Sequence, residues 1–418
     1  MIERPGPSLR LSLAVTLVSG VAFAVVAALL VPWHWLPGGH VRAVPADTVF
    51  STAQIARGEH VSGLLRHAAW GNLVVGLLVV AILGFTRLGS ALMARLPGPW
   101  WSKVALGSLG VTLAGAVASL PLAWASQRVE LTEGLSRQSW AGWLQDRGTG
   151  LVVDWVFTAV ALLVLVGLAR RAPRTWPLWG ALAAAVLAMA GSFVYPVVVE
   201  PLFNTFTPMK AGPVRSAVFD LARREHVHID DVLVADASRR TTTLNAYVSG
   251  FGSTRRVVVY DTLLTGLPDA QTEMIVAHEL GHARHDDVLL GTVLGALGSA
   301  AGIGMVGVLL SRRRLRDQAG VDGLGDPRVV PLLLALAVVG TLLASPVQNT
   351  ISRAIEARAD RSALEATGDT GTFVAMQKQL ALRSLSDPTP PAWSQFWFGS
   401  HPTALQRIGM GKEVAGFR

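Results

Sequence analysis

Seven stretches of this chain are apolar over the ~20 residues a helix needs to cross the hydrocarbon of a bilayer. They lie near residues 11–32, 68–86, 103–125, 151–169, 175–199, 288–311 and 329–346. Hydrocarbon offers no partner to a backbone N–H or C=O, so segments of this kind cross a membrane as helices. Ala, Val, Leu and Gly carry most of the apolar content: hydrophobic residues are 51% of the sequence and aromatic ones only 7%. Small side chains let helix backbones approach in lipid, where burial against acyl tails drives association weakly. Gly291-x-x-x-Gly295 and Gly298-x-x-x-Gly302, both in the sixth stretch, read as such a packing face. The first stretch follows Arg4 and Arg10, as a secretory signal would. Its apolar run is too long for an h-region and no small-x-small cleavage site follows closely, so it reads as a retained helix. The expected fold is mainly α: a polytopic membrane protein with about seven transmembrane helices and a small α+β domain assembled from two extramembrane segments.

The polar segments divide the chain. Residues 1–199 form an N-terminal membrane domain of five spans, and 288–346 a transmembrane hairpin of two. Residues 200–287 carry a helical stretch at 212–225 and β-branched runs at 231–236 and 255–261 that predict strands. Between them "TTTLNAYVSGFGS" (241–253) reads as a strand ending in a Gly-rich turn. Residues 347–418 read as mostly helical. Only two spans separate these segments, so they are expected to meet as one catalytic unit.

Charge and composition exclude several classes of function. With no cysteine there are no disulfides, thiolate metal sites or cysteine nucleophile. The formal charge of +8 suits an anionic lipid surface or nucleic acid, but no basic–aromatic stripe is present. The partner these features point to is a lipid bilayer, with no nucleic acid and no obligate protein partner evident. Seven alternating spans place two basic residues at the N-terminus, and three, three and five after the second, fourth and sixth spans, on one side. The short loops after the first and third spans carry three each on the other side. By the positive-inside rule the N-terminus is cytoplasmic and the catalytic segments face outward, across what would be a plasma membrane.

The chemistry is concentrated in "HELGH" (278–282). His278 and His282 are one helical turn apart, about 40° around the axis, so both imidazoles share a face and can reach one zinc at ~2 Å. Glu279, the next residue along, projects beside them, where it can take a proton from a metal-bound water. His285 shares that face but lies ~10 Å along the axis, too far to bind the same ion. In "ISRAIEARADRSALEA" (351–366) Glu356 and Asp360 are again one turn apart. Glu356 is the better candidate for a third ligand, and Asp360 could accept the Nδ1–H of a ligand histidine and fix its tautomer. His401, beside Pro402, reads as the start of a helix.

Together these residues resemble the type I CaaX prenyl proteases, integral-membrane zinc metallopeptidases of the gluzincin kind. The resemblance runs from about residue 195 to 410, through "PLFN" (201–204), "NAY" (245–247), "YDTLL" (260–264), "HELGH", "EARAD" (356–360) and "SHP" (400–402) with Arg407, all in the family's order. It implies one Zn2+ per chain on His278, His282 and Glu356, with Glu279 as general base. It implies that Asp360 is the second acid, that His401 lies across the metal from the ligands and stabilises the oxyanion, and that Arg407 supports the site. Asn245, Ala246 and Tyr247 match an edge strand to which substrate adds itself by backbone hydrogen bonds. Gln406 stands where the family often has an acid, which puts a local ion pair in doubt. The activity implied is hydrolysis of peptide bonds in a peptide or protein substrate, membrane-associated or of the prenylated CaaX type. General proteolysis of membrane or misfolded proteins is the alternative. A non-catalytic membrane bundle with a structural metal is the rival from another class, opposed by an open coordination position with a base beside it. For eukaryotic members the resemblance implies a site facing the cytosol, contrary to the loop charges.

Overall fold

A computed structural model describes residues 8–34, 42–250 and 255–416. The first half is helical: α1 (Leu9–Leu30), α2 (Thr52–Phe85), the short α3 (Arg87–Ala94), α4 (Trp100–Thr132), α5 (Trp140–Arg171) and α6 (Trp176–Val194). A π-helical turn at Tyr195–Val199 joins α6 to α7 (Glu200–Phe203), so that the fifth span runs without a break over Trp176–Phe203. Four strands and two helices follow: β1 (Phe206–Pro208), α8 (Pro213–Arg224), β2 (Asp231–Ala235), β3 (Ala246–Ser249), β4 (Arg256–Tyr260) and α9 (Asp261–Gly266). The remainder is α10 (Asp269–Arg284), α11 (Asp287–Leu310), α12 (Arg313–Ala319), α13 (Val330–Thr367), α14 (Thr370–Arg383), α15 (Ala392–Phe398) and α16 (Ala404–Gly416).

Among the described residues seven helices are long and apolar enough to cross a membrane, as expected, but most outrun their apolar stretches. α2 starts at Thr52, where Ser51 and Gln54 form a reciprocal capping box that fixes the first turn well before the apolar part begins. α13 is the largest departure. It continues from the seventh span through Pro346 to Thr367, so the span and the EARAD motif are a single helix. A proline costs the helix one backbone hydrogen bond and kinks it, without forcing the chain to stop.

The opposite holds at the sixth span. α10, which carries HELGH, stops at Arg284, and α11 begins at Asp287 after Asp286 adopts a left-handed φ of 52°. The motif helix therefore does not run into the membrane as one rod. The packing face of the sixth span also differs from the sequence expectation. Gly291, Gly295 and Gly302 have open space at the Cβ position, and Gly298 only grazes Phe23. Gly304 and Gly307 are the glycines that a neighbour meets, at Thr16 and Ser12 of α1.

The sheet order is β1-β2-β4-β3, with β2 and β4 parallel at the centre and antiparallel strands at both edges. β2 and β4 fall where the β-branched runs predicted strands; β1 is an additional, three-residue edge strand. One core holds Val218, Val232, Val257 and Leu280 together with Ala357, Leu364, Phe373 and Met410. The two extramembrane segments are thus packed into one α+β unit on the membrane bundle.

Gly281 sets how closely α10 and α13 approach. A Cβ there would lie 2.9 Å from Ser362 Cβ and 3.3 Å from the Ala359 backbone. Gly281→Val is expected to destabilise the protein by about 1–3 kcal/mol through overpacking. Thermal unfolding of the detergent-solubilised protein checks this, and an unchanged midpoint would mean that the two helices do not meet there.

Candidate active site

α10 turns His278 and His282 toward α13, which presents Glu356 between them. His278 Nε2 lies 3.2 Å from His282 Nε2 and 3.3 Å from Glu356 Oε2, and His282 Nε2 lies 3.6 Å from Glu356 Oε1. A tetrahedral ion with bonds of 2.0–2.1 Å needs donors about 3.3 Å apart; the two nitrogens and the two Glu356 oxygens lie near that spacing, and one donor from each residue falls within 4.8 Å of the others. Glu356 Oε2 is buried and accepts no hydrogen bond within the chain. A metal-free cluster of this kind leaves lone pairs facing one another in a poorly solvated place, and a divalent cation resolves that conflict. The donor set fits the metal.

Each histidine is held from behind. His278 Nδ1 is 2.9 Å from Asp360 Oδ1, and Asp360 is fully buried. Its two oxygens also receive Arg407 of α16 in a bidentate pair, with Nε to Oδ2 at 2.7 Å. His282 Nδ1 is 2.9 Å from Asp287 Oδ2, and Arg358 of α13 grips the other oxygen of Asp287. With Nδ1 of both rings turned to a carboxylate, Nε2 of both rings faces the shared point. Burial pulls the His278 pKa down, but the Asp360 and Glu356 carboxylates outweigh it and raise it to about 10. Metal binding therefore competes with a proton at His278.

Glu279 lines a cleft of about 330 Å³ together with Tyr247, Val248 and His282. Burial pushes its carboxyl upward, which brings a carboxylate nearer to the range useful for accepting a proton at neutral pH. His401 lies in the loop before α16, more than half exposed, with Nε2 3.3 Å from Glu356 Oε2. Arg353 ties this loop to α13 by donating to the carbonyls of Gln395 (3.2 Å) and Gly399 (2.6 Å), and the Gln395 amide donates to the His401 carbonyl at 2.6 Å. The helix that the sequence placed at His401 starts three residues later. Thr403 and Gln406 bond reciprocally across its first turn, so Gln406 has a capping task in place of an ion pair. His285 sits at the end of α10, 3.3 Å from Ser362 Oγ and away from the cluster.

Asn245, Ala246 and Tyr247 lead into the edge strand. Tyr260 N donates to Asn245 O at 3.0 Å, and β3 pairs antiparallel with β4. Antiparallel pairs alternate, so residues 245, 247 and 249 are bonded to β4 while Ala246, which is buried, and Val248, half-buried, turn their N–H and C=O to the edge not paired with a strand. The Tyr247 side chain points elsewhere, its hydroxyl donating to Glu200 at the end of the fifth span at 3.2 Å.

Two functional residues escape a sequence reading. Arg353 gives no signal beyond its charge. Asp287 lies five residues past His282, and on a continuous helix it would point about 140° away from it. Only the left-handed turn at Asp286 brings it back.

A polytopic helical bundle carrying a buried His–His–Glu cluster, with a carboxylate beside it and a free strand edge above, defines a membrane metalloprotease. The chain belongs to peptidase family M48, in its CaaX prenyl protease group: the family model described as "Peptidase family M48" matches residues 208–413. The model described as "CAAX prenyl protease N-terminal, five membrane helices" matches residues 60–205, which begin within α2. An uncharacterized metalloprotease of Bacillus subtilis, YhfN, is 31% identical over 71% of this chain and 70% of its own length. The CAAX prenyl protease 1 of Saccharomyces cerevisiae is 23% identical over 69% of this chain and 67% of its own. The crystal structure of Ste24p from S. mikatae superposes with a TM-score of 0.78 over 97% of this chain and 100% of that one, at 18% identity. At that identity the likeness is one of fold.

Asp287→Asn is expected to weaken metal affinity about 10–100-fold by freeing the His282 ring. Competition with a chromogenic chelator measures this, and wild-type affinity would show that Asp287 does not orient the ligand. The same titration one pH unit lower is expected to give about tenfold weaker affinity in the wild type, since binding displaces the His278 proton.

Proposed function

We propose that this protein is a zinc endopeptidase that cleaves membrane-associated peptides, prenylated CaaX-type chains among them. His278, His282 and Glu356 would hold the ion, a two-nitrogen, one-oxygen set that suits zinc and leaves a coordination position open. When bound, zinc supplies Lewis acidity, which acidifies a water and polarises a peptide carbonyl. Glu279 accepts the proton of the attacking water and delivers it to the leaving amine. His401 donates to the oxyanion that develops on the carbonyl. Asp360, Arg407 and Asp287 keep the ligand rings in orientation. Ala246 and Val248 offer their backbone groups to an extended substrate, and Asn245 and Tyr247 fix the strand that carries them.

The observation that carries this reading is the cluster of His278, His282 and Glu356, with His282 and Glu279 together on the wall of one cleft. Segments 200–287 and 347–418 act as the catalytic unit, and 1–199 with 288–346 as the membrane part. The relatives named CAAX prenyl protease 1 support prenylated substrates. Purified protein should cleave a farnesylated CaaX peptide, and Glu279→Gln should lower the rate at least ~100-fold while one zinc per chain stays bound. A chelator should abolish cleavage. Digestion of an unfolded, unmodified protein in preference to the peptide would replace this substrate reading with general proteolysis. Undiminished activity of the variant would remove Glu279 from the mechanism.

The loop charges support a catalytic unit that faces outside the cytoplasm, in the plasma membrane. Because the chain has no cysteine, single replacements report topology cleanly. An impermeant thiol reagent applied to intact cells should label Lys412→Cys and spare Arg314→Cys. The reverse pattern would put the site in the cytosol.

A further inference from the structure

A second cavity lies off the other end of β3. It measures about 410 Å³, within the ~300–1,000 Å³ range of small-ligand sites, and is lined by Gln127 and Glu130 of α4, Gln138, Asp146 of α5, Arg240 and Asn245 among others. Its walls come from both halves of the molecule, joined at a bridge between Ser136 and Thr241. Arg137 N donates to Arg240 O at 3.1 Å, Thr242 N to Leu135 O at 3.1 Å, and Ser136 Oγ to Arg240 O at 2.9 Å. The cavity is therefore preformed.

Its charges do not cancel. Asp146 is engaged by Arg240 at 3.2 Å and by the Gln138 amide at 2.6 Å, and Arg240 also donates to Asn204. That leaves Glu130, half-buried and without an ion-pair partner among the described residues, as the unbalanced charge of the cavity. An acidic side chain would meet Glu130 as a like charge, and the one guanidinium present is already committed. A divalent cation would meet Arg240 with only one free carboxylate to hold it. A lysine or arginine side chain supplies what is missing and can hydrogen-bond to Gln127 and Glu130 on entry.

The position fits a polypeptide. Asn245 borders this cavity and Val248 borders the Glu279 cleft, about 10 Å apart along the strand. A substrate laid on the free edge of β3 spans that distance with three residues. We propose, resting on the peptidase reading above, that this cavity is a specificity subsite in which Glu130 receives a basic substrate side chain about three residues from the scissile bond.

The test uses the full-length, zinc-loaded protein in detergent and quenched-fluorescence peptides with Lys, Ala or Glu at each position two to four residues from the cleaved bond, on both sides. At one position Lys is expected to exceed Ala about tenfold in kcat/KM, with Glu below Ala. In Glu130→Gln the Lys-to-Ala ratio at that position should fall to near one, and in Glu130→Lys the order of Lys and Glu should reverse. The ratio is internal to each variant, so a general loss of activity does not mimic the effect. No position favouring Lys, or a preference that survives Glu130→Gln, would overturn the subsite while leaving the peptidase intact. Cleavage of no peptide by the wild type would overturn the peptidase reading and the subsite with it.

Discussion

Asp360 is the charge on which the arrangement around the site depends. Its side chain is fully buried, and it joins three helices: its own α13, α10 through His278 Nδ1 at 2.9 Å, and α16 through Arg407 Nε at 2.7 Å. Withdrawing such groups from water costs several kcal/mol per ion, and their mutual attraction does no more than offset this when every donor and acceptor is matched. The match is close at Arg407, where the guanidinium is bidentate on the carboxylate and the Gln377 amide, with its oxygen toward Arg407, accepts at 3.0 Å. An apolar core of the same volume would pack α10, α13 and α16 at least as stably, but it would leave the His278 ring free to rotate. What the network contributes is orientation, the property a metal ligand needs.

The second constraint is the way the helices carry the site into the membrane region. α13 is one continuous helix from the seventh span to Glu356 and Asp360, so the span carries a ligand and its support on the same element. α10 is separated from α11 by the turn at Asp286, which detaches the two histidines from the sixth span and lets their helix pack on the sheet core. Asp287, the first residue of α11, nonetheless reaches back to His282, and Arg358 of α13 closes the circuit. One ligand helix is continuous with the seventh span; the other packs against that helix and reaches the sixth span through a turn and the Asp287 carboxylate.

How much of this was legible in the sequence follows from how local each feature is. His278, Glu279 and His282, like Glu356 and Asp360, are related within one turn of helix, and their shared faces can be read from spacing alone. The β-branched runs of β2 and β4 are local too. The features that escaped depend on a backbone conformation or on a neighbour. Asp287 is invisible until one residue, Asp286, goes left-handed. Gly291 and Gly295 satisfy the small-x-x-x-small pattern as well as any pair, yet of the glycines in α11 it is Gly304 and Gly307 that α1 approaches most closely, and the pattern holds no information about where a partner comes closest. Pro346 reads as a place for the seventh span to end, whereas the contacts of α13 with α2 and α10 carry the helix past it. β1 has three residues and ends in proline, and only pairing with β2 makes it a strand.

The edge strand ties these constraints to substrate choice. β3 is fastened twice to the membrane part: Tyr247 bonds to Glu200 at the foot of the fifth span, and the segment entering β3 is bridged to the loop that follows α4. Near that loop Trp124 and Trp140 stack at 5.9 Å with large exposed surfaces, Arg128 lies over the Trp124 ring and Arg147 over that of Trp143. Tryptophans with cationic neighbours are what a membrane–water boundary selects. A chain added to β3, as proposed, would therefore be held at the boundary before any of its side chains is read. On that reading selection by location comes first, and the cavities at the two ends of the strand would act only on chains that have already passed it.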